Sequence, residues 1–120
     1  MSRAVESAEA EGNTVTAVGP VRWMCPTAMM RRVYSPKSDV FSFGNVLFEL
    51  FVQRIPWHKL DARGAATKVL AGERLSWPSK RSIPPQIVEL ADRCFAFEPA
   101  DRPAMVEVQQ QLEQIIEKEY

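Results

Sequence analysis

Residues 35–52 read SPKSDVFSFGNVLFELFV, and this stretch decides the fold. Ser35 is a side chain suited to capping a helix N-terminus. Pro36 suits the first helical position, where a missing N–H costs nothing, and an apolar run follows. The apolar positions are Val40, Phe41, Phe43, Val46, Leu47, Phe48, Leu50, Phe51 and Val52. At about 100° per residue they cover nearly the whole circumference instead of one stripe. The expectation is a central helix buried on most sides. A chain of 120 residues whose beginning is polar has little material to cover such a rod, which points to part of something larger.

On the C-terminal side, Ile55-Pro56-Trp57 ends this helix. A second helix fits residues 62–71, with Ala62, Ala65, Ala66, Val69 and Leu70 on one face and Gly72 as its stop. Residues 77–83 read as loop. Pro84 and Pro85 then open a helix running through Phe97, with Ile87, Leu90, Ala91, Cys94 and Phe95 inward. Residues 99–103 form a tight connection, and a last amphipathic helix covers 104–118, burying Met105, Val108, Leu112, Ile115 and Ile116. On the N-terminal side, Val21, Trp23 and Met24 suit a short extended stretch, followed by a turn of helix around Thr27–Arg31. Residues 1–18 carry few large apolar side chains and read as a mobile loop. The fold class is all-α, with about four main helices around the central one; residues 1–18 are the loop and 19–120 the folded part.

Composition excludes several function classes. Fifteen basic residues balance fifteen acidic ones, so there is no electrostatic reason to expect nucleic acid or an anionic membrane surface as partner. No apolar run approaches the ~20 residues of a membrane span, and residues 1–12 lack the apolar core of a secretory signal. Two cysteines, Cys25 and Cys94, stand far apart, and His58 is the single histidine, which argues against structural zinc. A reducing, cytoplasmic setting is expected.

Three segments in order carry a resemblance: Gly19-Pro20-Val21-Arg22-Trp23-Met24-Cys25-Pro26-Thr27, then Ser35-Pro36-Lys37-Ser38-Asp39-Val40-Phe41-Ser42-Phe43-Gly44, then Asp101-Arg102-Pro103. Together they resemble the C-terminal lobe of the protein kinase family, from the end of the activation segment to the last helix. The first segment is similar to the tyrosine-kinase and tyrosine-kinase-like groups. Ser2-Arg3 fits the pair that often follows the magnesium-binding Asp-Phe-Gly, so the chain is expected to begin just after that motif.

The resemblance implies roles. An intact parent would use ATP and magnesium to phosphorylate protein hydroxyls, with a protein substrate or protein partner docked on the lobe. The Gly-rich loop, the paired Lys and Glu, the catalytic Asp and the magnesium ligands do not occur here. Catalytic, cofactor-binding and metal-ligating residues are therefore expected to be none, and the chain alone is expected to be inactive. The alternative is a non-catalytic, pseudokinase-like binding module. Gly19, Pro20, Val21, Arg22 and Trp23 would form the floor beneath the acceptor residue. Asp39 would brace the catalytic loop; read on its own, it is a carboxylate near a helix N-terminus. Arg102 would pair with the Glu of Ala-Pro-Glu, but Thr27 stands at that position. This predicts a more exposed Arg102, a substitute acid such as Glu98 or Asp101, or a weakened lobe. Thr14 and Thr16, with Ser7 behind them, are candidate phosphorylation sites. Phe41 and Phe95 stand where the family often has Trp, a departure expected to preserve size.

Overall fold

The computed structural model describes residues 20–79 and 82–119. Five α-helices follow one another: α1 (Pro26–Arg31), α2 (Pro36–Val52), α3 (Ala62–Leu70), α4 (Pro85–Cys94) and α5 (Met105–Glu119). Two 3-10 turns, Pro20–Trp23 and Pro99–Asp101, complete the set, and the described residues include no strand. None of the helices is long and apolar enough to cross a membrane.

α2 starts where its cap chemistry dictates. The Lys37 N–H donates to Ser35 Oγ at 3.2 Å, and Ser38 Oγ accepts from the Ser35 N–H at 3.1 Å, a reciprocal box that pairs two otherwise orphaned donors. It ends at Gln53, in the left-handed region at φ 65°, whose N–H closes onto the Glu49 carbonyl at 2.8 Å. In α3, the Asp61 side chain caps by accepting from the Gly64 N–H.

The core forms where α2 meets α4, its most extensive neighbour, and Val40, Leu47, Leu90, Ala91, Cys94 and Val108 fill it. Close approach depends on Gly44. A Cβ there would lie 2.8 Å from Phe95 Cε1 and 2.9 Å from Cys94 Cβ, closer than real carbons come. The ring of Phe95 fills that space and meets Phe41 edge-on, centroids 5.4 Å apart.

The central helix is covered on most sides, as expected, and left open along one line. Leu50 is 63% exposed and Val46 41%. Asp39 is exposed as well and Phe43 half-buried. Positions 39, 43, 46 and 50 are spaced four, three and four apart, which places them on one stripe of the helix. The 3-10 turns, α4 and α5 all pack on α2, and the stripe is the side they leave open. Periodicity counts apolar positions; it does not count neighbours available to cover them.

Other boundaries move for local reasons. Residues 20–23 form a 3-10 turn instead of an extended stretch, with the Met24 N–H on the Val21 carbonyl at 3.1 Å. α4 stops at Cys94, short of Phe97, and the carbonyls of Ala96 and Phe97 just beyond it accept from the Arg102 guanidinium. In α5, Val108 is buried, whereas Met105 and Ile116 are exposed where the ends of the helix run past the core.

Candidate functional site

The sequence-derived site residues fall into two places, and a buried arginine organises the second. The first is the 3-10 turn Pro20–Trp23. Gly19, Thr14, Thr16 and Ser7 lie outside the described residues. Val21 is buried beneath the turn. Arg22 reaches away from it: Nη1 donates to the carbonyls of Pro56 at 3.1 Å and Trp57 at 2.8 Å, and Nη2 to that of Leu60 at 2.6 Å. Trp57 takes φ 56°, the left-handed conformation, within the loop that presents these three acceptors. Trp23 Nε1 donates to Glu49 Oε1 on α2 at 3.1 Å, and the Ser42 hydroxyl donates to the Trp23 carbonyl at 2.8 Å. One short turn is therefore fastened to α2 on one side and to the loop before α3 on the other. A planar guanidinium suits this task because its fork fixes several carbonyls at once, where an ammonium would act as a point charge. The resemblance leads to the expectation that Arg22 forms part of a substrate floor; it gives no sign that the side chain anchors the turn, since its acceptors lie more than thirty positions away.

At the second place two of the three expectations for Arg102, greater exposure and a substitute acid, are overturned. It is 2% exposed, and neither Glu98, Asp101 nor any other acid among the described residues forms an ion pair with it. Backbone carbonyls serve it instead: Nε donates to Ala96 at 2.7 Å, Nη1 to Lys37 at 2.9 Å and Nη2 to Phe97 at 3.0 Å. The guanidinium carbon also lies 4.9 Å from the centroid of the Phe41 ring, within cation–π range. Lys37 returns the contact, its Nζ donating to the Arg102 carbonyl at 2.7 Å. Two cations thus exchange backbone carbonyls and tie the start of α2 to the second 3-10 turn. A local sequence signal for this exchange does not exist, because carbonyls belong to every residue.

Thr27, half-buried in α1, places Oγ1 3.4 Å from the Cys25 sulfur. Cys25 is fully buried. Burial by itself would raise its pKa, but hydrogen bonds from the Thr27 and Ser38 hydroxyls and the Ala28 N–H, together with the charge of Arg102, bring it below the ordinary thiol value. Cys94 goes the other way: burial pushes it up to about 11 against the smaller opposing pull of Arg93 and Arg102. It is a neutral core thiol at ordinary pH. Asp39 lies in the first turn of α2, exposed, at the head of the open stripe. His58 is exposed in the loop that holds Arg22.

A cavity of about 80 Å³ borders the Phe41 and Phe95 rings.

Comparison with known proteins agrees with the arrangement of these segments. The family model of protein tyrosine and serine/threonine kinases matches residues 1–112. The high affinity nerve growth factor receptors of Rattus norvegicus and Mus musculus are each 36% identical over 95 residues. Those residues make up 78% of this chain and 12% of each receptor, so the chain spans about an eighth of the length of these relatives. The order of turn, capped central helix and Asp-Arg-Pro connection, the helices they join and the extent of the family match lead to one conclusion: the chain belongs to the protein tyrosine and serine/threonine kinase family.

Proposed function

We propose that an intact parent of this chain transfers the γ-phosphoryl group of MgATP to a protein hydroxyl, and that the residues described here hold the acceptor segment in place. The observation that carries this reading is the fastening of the Pro20–Trp23 turn by Arg22, Trp23 and Ser42. Phosphoryl transfer needs little covalent participation from the protein. Its rate depends on holding the attacking hydroxyl in line and near the phosphorus, where a displacement of ~1 Å can cost about a hundredfold. A floor with its backbone tied at both ends meets that requirement.

The nucleotide itself does not fit the residues present. Among the described residues no three His, Cys, Asp or Glu side chains converge as metal ligands would. The glycines at 12, 19, 44, 64 and 72 do not form the closely spaced loop that covers phosphates in this family. No transfer step runs through these side chains. In the same reading, Asp39 and the open stripe of α2 receive the catalytic loop and its neighbouring helix, and Thr14 and Thr16 accept regulatory phosphate.

The test is a phosphotransfer assay with Ser-, Thr- and Tyr-containing peptides. It compares this chain with a longer form that carries the parent's own upstream kinase segments. The short chain is expected to transfer nothing and the long form to transfer phosphate. Arg22→Ala in the long form is expected to raise the peptide KM about tenfold while leaving the nucleotide KM unchanged. A long form that contains the nucleotide motifs yet transfers nothing would overturn the catalytic reading. The second reading, a non-catalytic docking lobe, would then stand; Thr27 at the position of the family's glutamate favours it.

A further inference from the structure

Phe43, Val46 and Leu50 form the open line of α2, with Asp39 at its head. Their spacing of four, three and four is that of the apolar seam along which two helices pack side by side. At the far end of α2, just past the left-handed Gln53, stands Arg54, exposed like Asp39. Neither charge has an ionic partner among the described residues.

These positions are arranged symmetrically along the chain. Phe43 and Leu50 are equally distant from the point between Val46 and Leu47, and so are Asp39 and Arg54. A two-fold axis through that point, perpendicular to α2, lays the stripe on a second copy of itself. Phe43 then meets the partner's Leu50, Val46 lies beside the partner's Val46, and Asp39 faces the partner's Arg54. A parallel pair would set like charges together at both ends, which disfavours it. Residues 1–19 make a poor alternative cover, because they contain no Leu, Ile or aromatic side chain. Fifteen basic residues balance fifteen acidic ones, so no net charge drives two copies apart. We propose that the open stripe of α2 is a self-docking surface that pairs two copies of this chain antiparallel, with Asp39 and Arg54 setting the register. The inference goes beyond the phosphotransfer reading: any segment that occupies the stripe in a longer form excludes the second copy.

The seam is short, ~16 Å from Asp39 to Leu50, so the pair is weak. Sedimentation equilibrium of the 120-residue chain from about 5 μM to about 500 μM measures it. The mean mass should rise from the monomer's 13.6 kDa toward twice that value, with a Kd on the order of 100 μM. Leu50→Glu changes an exposed position that the monomer does not need, and should stay monomeric at every concentration. Leu50→Cys, which removes most of the same apolar contact, should weaken the pair about tenfold. The charges test the register: Asp39→Arg and Arg54→Asp should each raise the Kd about tenfold, and the two together should restore it. A monomer at the highest concentration overturns the proposal, whether residues 1–19 or nothing covers the stripe. So does a Leu50→Glu variant that pairs as well as the wild type, or a double charge exchange that fails to restore the affinity.

Discussion

Arg102→Met is expected to destabilise the fold by about 3–5 kcal/mol, a large part of the ~5–15 kcal/mol that a small domain possesses. Methionine fills much of the same space and carries no charge, so the loss is not one of packing. It comes from the acceptors left behind. The carbonyls of Ala96, Lys37 and Phe97 each lose their guanidinium donor in a region closed to water. Each such orphan costs about 1–3 kcal/mol, less whatever local relaxation recovers. Replacing a complete buried ion pair with apolar residues is often harmless, but here only one side can be replaced, because the partners are main chain. Arg102→Lys should recover only part of the loss, since one ammonium does not span three diverging carbonyls. Urea unfolding curves for the three proteins would check the order wild type, Lys, Met. Equal midpoints for wild type and Met would remove Arg102 from its structural role.

The second large effect concerns Gly44. Helix propensity alone predicts that Gly44→Ala stabilises α2 by about 0.5–1 kcal/mol. The contact geometry predicts the opposite sign. A methyl group there would stand 2.8 Å from Phe95 Cε1 and 2.9 Å from Cys94 Cβ. The phenyl ring has some freedom to tilt, but the Cys94 Cβ is fixed to the α4 backbone, so α2 and α4 must move apart. Forcing a well-packed interface open typically costs about 1–3 kcal/mol. The net expectation is a loss of about 1–2 kcal/mol, seen as a lower denaturation midpoint with an unchanged slope. A variant more stable than the parent would mean that the helices are not in close contact at this point.

Both predictions concern contacts between distant segments, and this separates what was legible in the sequence from what was not. The start of α2 could be read because its causes are local: the Ser35 cap, Pro36 at the first position and the apolar run all lie within a few residues. The same holds for Asp61 ahead of α3 and the prolines ahead of α4. The open stripe could not be read, since Val46 and Leu50 are as apolar as Leu47 and Val40 and only the neighbours distinguish them. Nor could the partners of Arg102. A missing carboxylate at position 27 suggests exposure, a substitute acid or a weakened lobe, and the fold supplies main-chain oxygens as the partners. The segment around Pro20–Trp23 could be singled out by its resemblance, while the anchoring of Arg22 depends on where Trp57 and Leu60 come to lie. The cavity beside Phe41 and Phe95 depends on three helices at once.

The central physical claim is that α2 is held by its neighbours everywhere except along one stripe. Thiol labelling measures this directly, because the native Cys25 and Cys94 are wholly buried and give a low background. Leu50→Cys is predicted to react with a soluble maleimide at nearly the rate of a free thiol. Val40→Cys, on the covered side of the same helix, should react more slowly by at least on the order of a hundredfold. Comparable rates at the two positions, or protection at position 50, would contradict the account.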